Sequence, residues 1–460
     1  MKIQNEIFKI LSKSKENILY SNPEIFFTNY HEENIKKNKN KKNFLSDIHK
    51  FFKHYLVFNK IYYAKKIDEK LDVLFLSHHA YKNKKFKDRD FYFGSLPMAL
   101  KKLNINVAVS MLNKSYENED EILNFYKNSK IPRIIFPNKI NFFFEVINIL
   151  KINLNFFLIK LFKKNYYVFF NYLNFRTSLK TLDVERTKYQ VNKILIKFKP
   201  KILIFTFEGH ALERQLINIA KKNKSYCIAY YFAVIKQKKN FSFKNFSEQF
   251  MPHEIITSGN YSRKFFNKVN VKNLNVYGSN RFQVSLNNKQ DKNKKIILVA
   301  PEGVISETEY MLTFAKKCSQ IYNDYKFIFR THPDITKKLM LSHNINFSSN
   351  SENLIISDNE LIDDIKVASF ILYRGSSVVI TSCINNLKPI YVKKSGELIS
   401  HDPLFEINKN IIVSPVELRR YIENVTQDHI CMTKKFCYRY FSSEKSLPYA
   451  QYLKKKLNYM

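Results

Sequence analysis

Glycine is scarce in this sequence, which has only seven glycines among 460 residues, whereas an average protein is about 7% glycine. A chain that uses so few glycines more often places each one where the backbone adopts a conformation that a side chain forbids. The glycines therefore mark candidate turns and close approaches. They are Gly94, Gly209, Gly259, Gly278, Gly303, Gly375 and Gly396.

Cysteine and the common nucleotide and metal motifs are also missing or rare. The five cysteines form no C-x-x-C pair and no metal-like spacing, and no apolar signal segment stands at the start. These features predict a reducing, cytoplasmic environment without disulfides. No G-x-G-x-x-G, P-loop or H-E-x-x-H motif occurs, which argues against dinucleotide-binding, P-loop and zincin chemistry.

Acidic residues are few, with 40 Asp and Glu against 77 Lys and Arg and a formal net charge of +37. Three interpretations are open: a compositional bias that follows from an AT-rich genome, attraction to an anionic membrane surface, and nucleic-acid binding. Nucleic acid is an unlikely partner because the lysines are spread along the chain and no recognition motif with regularly interleaved aromatic residues occurs.

The chain does contain ample material for a core, with 45% hydrophobic and 15% aromatic residues, and its length suggests two domains. From residue 71, short apolar runs alternate with helical stretches, which is typical of parallel sheets covered on both faces. The first series of predicted strands comprises Val73–Ser77, Val107–Ser110, Arg133–Phe136, Ile202–Phe207, Tyr226–Tyr231 and Ile255–Ser258. The second comprises Ile296–Ala300, Phe327–Arg330, Leu354–Ile356, Phe370–Tyr373 and Ile390–Val392.

The stretch Asn141–Tyr172 is long, aromatic and interrupted by lysine and asparagine. Its lysines recur too often for a transmembrane helix. Two interpretations are open: a surface helix that lies on a membrane through its apolar face, and a helical insertion that packs on its own domain.

The turn Tyr373–Ser377 (YRGSS) stands between a predicted strand and a helix predicted over Val378–Asn386. Backbone N–H groups and hydroxyls at such a turn favour an anion, and Arg374 adds charge. In open α/β sheets, ligands bind beyond the carboxyl ends of the strands, where this turn lies. The alternative is plain N-capping by one of the serines.

Another candidate turn, Arg330–Pro333 (RTHP), also ends a predicted strand. Proline biases His332 toward an extended conformation, so its side chain can project from the strand end. The Arg330 cation and the His332 imidazole suit a diphosphate or a sugar phosphate. A loop histidine is the alternative.

The turn Ala300–Gly303 (APEG) closes the first strand of the second series. Gly303 allows the backbone to approach a ligand, and Glu302 either binds a hydroxyl or faces solvent. Behind this turn, Ser306 and Glu309 match a capping box for the next helix.

The first domain offers Phe207–His210 (FEGH), again at a strand end. A carboxylate there, Glu208, can be a general base for an acceptor hydroxyl if its surroundings tune its pKa, with His210 as the alternative base. Glu213 and Arg214, one helical turn further on, are interpreted as a structural ion pair.

The remaining turns carry weaker signals. Ser258–Asn260 (SGN) and Gly278–Phe282 (GSNRF) flank the expected junction of the domains and are interpreted as strand-to-helix or hinge turns. In Lys394–Leu398 (KSGEL), Glu397 is a candidate for binding ribose hydroxyls, and a loop acid is the alternative.

Taken in order, the motifs PEG, RTHP and RGSS…KPIYV resemble the nucleotide-sugar-binding half of GT-B glycosyltransferases of bacterial surface carbohydrate synthesis (capsule, lipopolysaccharide, O-antigen). The His-Pro and Ser-Ser pairs are similar to those of bacterial sialyltransferases and Kdo transferases, where they hold the phosphate of a CMP-sugar. The Glu-Gly of FEGH resembles the acidic-acidic-Gly motif that supplies the catalytic base there, with Phe207 in place of one acid. Thr381 stands where many GT-B enzymes carry a ribose-binding acid, and Leu387 where many carry glycine.

The resemblance, over roughly 71–405, implies an α/β fold of two Rossmann-like domains that face a cleft, with extra N-terminal helices. The expected organisation is a helical extension at 1–70, an acceptor domain at 71–285 with a helical insertion at about 138–185, a nucleotide-sugar-binding domain at 286–410, and C-terminal helices at 411–460 that pack back on the first domain.

The implied activity is transfer of a sugar from a nucleotide-activated donor, such as a CMP-sugar, to a glycan or lipid-linked glycan, without metal or other cofactor, in the cytoplasm or at the inner face of the membrane. Glu208 or His210 would be catalytic. The donor would be bound by Glu302, Gly303, Arg330, His332, Arg374, Gly375, Ser376, Ser377 and Glu397. The alternatives are a nucleotide-sugar epimerase of the same architecture and a non-catalytic protein of surface-carbohydrate assembly or binding.

Overall fold

Short apolar runs form the strands of two sheets in the computed structural model of this protein. The structure describes residues 61–67, 70–79, 87–113, 118–136, 147, 179–235, 248–267, 271, 273–282, 295–333, 335, 340–341, 343–345, 352–395, 400–407, 410–424 and 426–460. Several predictions fall outside these residues: the helices before residue 61, almost all of the insertion at 138–178, and Glu397.

The first sheet occupies the N-terminal half. Its strands are β1 (Tyr62–Tyr63), β2 (Val73–His79), β3 (Val107–Asn113), β4 (Arg133–Phe136), β5 (Ile202–Thr206), β6 (Tyr226–Tyr231), β7 (Glu254–Thr257) and β8 (Leu274–Val276). They lie in the order β1-β4-β3-β2-β5-β6-β7-β8, and all neighbours are parallel except β1 and β4. The central strands are buried on both faces, as expected for strands covered by helices on both sides.

The second sheet is wholly parallel. Its strands are β9 (Ile296–Ala300), β10 (Lys326–Phe329), β11 (Leu354–Ile356), β12 (Phe370–Tyr373), β13 (Lys388–Val392) and β14 (Ile411–Ile412). They lie in the order β11-β10-β9-β12-β13-β14. Because β9 lies between β10 and β12, the loops that follow these three strands meet at one edge of the sheet.

Helices connect and cover the strands. Those described are α1 (Leu96–Lys102), α2 (Glu119–Tyr126), α3 (Leu179–Phe198), α4 (Ala211–Lys222), α5 (Asn260–Asn267), α6 (Ile305–Ile321), α7 (Leu361–Val367), α8 (Val378–Ile384), α9 (Leu418–Glu423), α10 (Gln427–Cys437) and α11 (Ser446–Asn458). Short 3₁₀ turns occur at Glu248–Phe250 and Pro415–Glu417.

Six predicted strands differ from the structure in their exact ends, and three other local predictions differ as well. Strand β1 lies in the stretch that was expected to be helical and pairs with β4 as an edge strand. Helix α8 stops at Ile384, short of the predicted Asn386, which has φ +69° and so leaves the helical conformation. The capping box predicted at Ser306 is wrong, because α6 already begins at Ile305 with Val304 as its N-cap.

The C-terminal segment, which contains α10 and α11, contacts both halves of the molecule. Helix α10 packs against α8 beside the second sheet, and α11 packs against α1 beside the first. One buried hydrophobic cluster contains Phe205 of β5, Leu298 of β9 and Tyr440, which lies between α10 and α11. The core therefore continues from one sheet to the other. The residue boundaries of the domains remain predictions.

Candidate functional site

The turn between β12 and α8 needs a glycine. Gly375 has φ +68°, in the left-handed region, and a Cβ there would lie 2.2 Å from Oε2 of Glu302. Next to it, Ser376 is 4% exposed, whereas Ser377 is half-buried. The turn thus lies directly against the Glu302 side chain and offers the Ser377 hydroxyl at the surface.

The ends of β9, β10 and β12 bring together most of the residues predicted to bind the donor. The Glu302 carboxylate lies over Gly375, and a Cβ on Gly303 would lie 2.7 Å from Nδ1 of His332. The two glycines therefore make room for an acid and an imidazole from neighbouring strand ends. His401, from a later loop, places Nδ1 3.4 Å from Oε2 of Glu302.

Arg374 supports the turn from inside the protein and has no exposed surface with which to contact a ligand. Its Nε donates to Oε2 of Glu307 at 2.6 Å, and Nη1 donates to the Tyr391 hydroxyl at 3.1 Å. Lys394 also lies 2.9 Å from Oε1 of Glu307. Burial alone would raise the pKa of Glu307, but the charges and hydrogen bonds of Arg374 and Lys394 hold it below the ordinary value.

Arg330, the second arginine predicted to bind the donor, is likewise engaged with its own domain. Its Nη1 donates to Oδ2 of the fully buried Asp364 at 2.9 Å and to the Asn359 carbonyl at 2.6 Å. The Ser357 hydroxyl donates to the same carboxylate. Arg330 thus fixes the start of α7.

The FEGH turn in the first domain carries the candidate base. Nε2 of His210 lies 3.3 Å from Oε2 of Glu208, and the two side chains are 28% and 31% exposed. The turn is held by Glu213, whose Oε2 accepts the backbone N–H groups of Glu208 at 2.7 Å and His210 at 2.9 Å. Arg214 donates from Nη1 to the Gly209 carbonyl at 2.9 Å. Glu213 and Arg214, which the sequence analysis interprets as an ion pair, therefore both stabilise this turn.

Burial raises the pKa of Glu213 from 4.5 to about 7. The charge of His210 opposes this shift, whereas the charge of Glu208 adds to it. Glu213 therefore changes its charge near neutral pH, directly beneath the candidate base.

An aromatic wall lies beside these residues at the ends of β2 and β6. Nε2 of His78 lies 3.4 Å from Oγ1 of Thr206, two residues before Glu208. The His78 ring contacts Tyr92 at 5.7 Å between centroids, and Tyr92 contacts Phe232 at 4.6 Å. Tyr92 and Phe232 are half-buried. Sequence reasoning missed this wall because its members lie far apart in the chain.

Arg281 connects the aromatic wall to the second domain. Its Cζ lies 5.2 Å from the centroid of the Phe232 ring, and its Nη1 donates to Oγ of Ser377 at 3.4 Å. Thr381, which stands where an acid was expected, donates from Oγ1 to the Arg281 carbonyl at 3.4 Å. Leu387, the other departure, is buried in the core. The sequence does mark the GSNRF turn, but its interpretation as a strand-to-helix or hinge turn assigned no binding role to Arg281.

Among the residues that the structure describes, no helix is long and apolar enough to cross a membrane. In the same part of the chain, no group of three or more His, Cys, Asp or Glu side chains is arranged to hold a metal ion.

No protein-family model matches the chain, and no curated protein sequence matches it. Solved structures do resemble it. The S. aureus MnaA–UDP structure is 11% identical, with 84% of this chain and 97% of that chain covered and a TM-score of 0.51. CalG4, the calicheamicin glycosyltransferase, is 8% identical, with 85% and 99% covered and a TM-score of 0.51. A Methanocaldococcus jannaschii UDP-GlcNAc 2-epimerase in complex with UDP-GlcNAc and UDP is 16% identical, with 84% and 99% covered and a TM-score of 0.49.

These similarities and the two parallel sheets confirm the predicted fold class. The protein has the GT-B fold of two Rossmann-like domains. The fold is thus shown, whereas activity has to be argued from the site itself.

Proposed function

We propose that the protein is a glycosyltransferase that moves a sugar from a nucleotide-activated donor to a glycan or lipid-linked glycan acceptor in bacterial surface polysaccharide synthesis. The observation that carries this proposal is the convergence of Glu302, His332 and the Gly375 turn at neighbouring strand ends. Such an edge is where α/β folds of this type bind ligands. The likeness to the UDP-bound MnaA structure supports a nucleotide site, and the likeness to the glycosyltransferase CalG4 supports the transferase activity.

In this proposal the second domain holds the donor and the first presents the acceptor. His332 and the hydroxyls of Ser376 and Ser377 bind the phosphate of the donor, and Gly375 lets the backbone approach it. Glu208, at the end of β5, removes the proton from the acceptor hydroxyl as that oxygen forms its bond to the sugar. The bond between the sugar and the donor phosphate breaks in the same step, and the phosphate leaves as part of the nucleotide. Nε2 of His210, 3.3 Å from Oε2 of Glu208, orients that carboxylate.

A panel of nucleotides tests the donor site first. We expect at least one of CMP, UDP, GDP and CDP to raise the melting temperature, because a ligand at about 100 times its dissociation constant adds about 2.7 kcal/mol of stability. The resemblance of the His-Pro and Ser-Ser pairs to those of sialyltransferases and Kdo transferases makes CMP the first choice. A panel without any stabilising nucleotide would contradict the proposal and favour a non-catalytic assembly protein.

Substitutions then separate binding from catalysis. We expect His332→Ala to weaken nucleotide binding, while Glu208→Gln binds the nucleotide normally and lowers turnover about 100-fold or more, as for loss of a general base. The exposed His343→Ala and Glu423→Gln are matched controls. Normal nucleotide affinity in His332→Ala would remove His332 from the donor site.

An epimerase is the second candidate, and the pairing of Glu302 with His401 favours it. These two groups lie 3.4 Å apart beside the Gly375 turn, so that an acid and an imidazole are close to where a donor sugar would sit. Product analysis distinguishes the two activities. An epimerase converts its nucleotide-sugar in the absence of any acceptor, whereas a transferase leaves the donor sugar unchanged until an acceptor is added.

A further inference from the structure

Arg281 belongs to the first domain by its position after β8, but its side chain reaches the turn of the second. Three contacts fix it: the hydrogen bond from Nη1 to the Ser377 hydroxyl, the bond from Thr381 to its carbonyl, and the stack of its guanidinium on Phe232. A cation at 5.2 Å from a ring centroid is within the range of cation–π attraction. The guanidinium is therefore positioned before any ligand binds.

The charge of Arg281 has no acidic partner among the described residues. Within the part of the chain that the structure describes, its guanidinium contacts the Ser377 hydroxyl and the Phe232 ring and no carboxylate. In contrast, Arg330 and Arg374 are paired with Asp364 and Glu307. The acid on the turn, Glu302, faces His401 instead. A half-buried cation with no counter-ion in the described part of the chain favours the arrival of an anion.

We infer that Arg281 binds the phosphate of the donor from the first domain, opposite Ser377 and His332 of the second. The inference rests on the proposed function and adds a binding residue to it. A guanidinium presents a planar fork of donors that matches phosphate oxygens and keeps its charge at every physiological pH. A phosphate that binds beside the hydrogen-bonded pair of Arg281 and Ser377 contacts both domains, so donor binding also holds the two domains together.

Calorimetric titrations of Arg281 variants test the inference with UDP, CMP, the corresponding nucleosides and inorganic pyrophosphate as probes. We expect Arg281→Gln, which keeps a donor group but lacks the charge, to weaken binding of the nucleotide about tenfold to a hundredfold, as for loss of a hydrogen bond to a charged group. Binding of the nucleoside should not change. Arg281→Lys should retain part of the affinity, since it keeps the charge without the fork.

Arg439→Gln is the matched control. Arg439 also stacks on aromatic rings, at 5.5 Å from Tyr261 and from Phe436, but it is an exposed residue of the C-terminal segment. We expect this variant to bind every probe as the wild type does. Thermal unfolding of each variant shows whether it is folded. If Arg281→Gln is not folded, the nucleotide affinity of Arg281→Lys tests the role of Arg281 instead.

The outcomes separate the inference from the proposed function. Unchanged nucleotide affinity in Arg281→Gln, or an equal loss for nucleotide and nucleoside, overturns the role of Arg281 while the proposed function stands. If the wild type binds no nucleotide, the proposed function fails and pyrophosphate decides the inference. Pyrophosphate binding that is lost in Arg281→Gln supports an anion site, and no pyrophosphate binding overturns it.

Discussion

Two buried glutamates shape the turns that carry the candidate site. Glu307 holds Arg374 behind the Gly375 turn, and Glu213 holds the backbone of Glu208 and His210. The two differ in charge behaviour. Basic neighbours hold the pKa of Glu307 below its usual value, whereas burial raises that of Glu213 to about 7. Of the two turns, the one that carries Glu208 is therefore supported by a carboxyl group whose charge changes near neutral pH.

The pH dependence of stability should reveal Glu213. Between its unfolded pKa of 4.5 and its folded pKa of about 7, the folded protein keeps a proton that the unfolded chain has lost. The unfolding free energy therefore falls as pH rises through this range. Relative to Glu213→Gln, which does not titrate, we expect the wild type to lose up to about 3 kcal/mol, since one pKa unit is worth about 1.4 kcal/mol. Urea unfolding at several pH values measures the difference.

The exposed Glu309→Gln is the control for this prediction. Its stability relative to the wild type should vary little with pH, because this exposed side chain lies outside the turn that Glu213 supports. A constant difference between wild type and Glu213→Gln from pH 4.5 to 7 would show that Glu213 ionises normally.

At the level of single residues, the sequence predicts where glycines and polar side chains meet a strand end, but not which arginine is free. Glu302, Gly303, His332 and Gly375 converge because the strand order brings their turns together. The roles of Arg330 and Arg374 depend on acids 34 and 67 positions away. The pairing of these arginines with buried acids follows from tertiary packing, which no local sequence pattern encodes. For the same reason Arg281 was interpreted as part of a hinge.

Most of the strands follow the apolar runs of the sequence. Strands β4, β6, β9, β11 and β12 have their predicted bounds. The strands that were not predicted are β1, β8 and β14, which contain two or three residues and lie at sheet edges. An edge strand buries little surface, so its sequence needs no distinct apolar run.

Helix α11 is attached to the first sheet by one buried acid. Glu254 of β7, which is fully buried, accepts the hydroxyl of Tyr449 at 2.7 Å and that of Tyr452 at 2.9 Å. Lys456 lies 3.4 Å from the same carboxylate. The spacing of these three residues places them on one face of the helix. The acid thus fixes the rotation of α11 against the sheet.

We expect Tyr449→Phe to destabilise the attachment of α11 by about 1–3 kcal/mol, because it removes a donor from a buried carboxylate. Amide hydrogen exchange should accelerate in Ser446–Asn458 more than in the strands of either sheet. Tyr459→Phe, at a side chain that is 91% exposed, is the matched control. Equal exchange in the two variants would mean that the hydrogen bond of Tyr449 to Glu254 does not hold the helix in place.

At the scale of the whole molecule, the C-terminal segment contacts both domains. The Tyr440 hydroxyl lies 2.8 Å from the Ile235 carbonyl of the first domain and 2.7 Å from the Pro403 carbonyl of the second, and it can donate to either. Its ring packs on Tyr261 at 4.5 Å and on Phe436 at 5.5 Å. This residue is therefore buried at a point where both domains and the C-terminal segment meet.

Removing this side chain should uncouple the domains. Because Tyr440→Ala deletes a buried aromatic ring worth about 3–5 kcal/mol, we expect its calorimetric unfolding to broaden or divide into two transitions, as in proteins whose domains unfold independently. Tyr438→Ala, at a side chain that is 40% exposed, should keep the transition of the wild type. If Tyr440→Ala unfolds in one equally sharp transition at lower temperature, the domains are coupled through their direct contacts, such as that of Arg281 with Ser377.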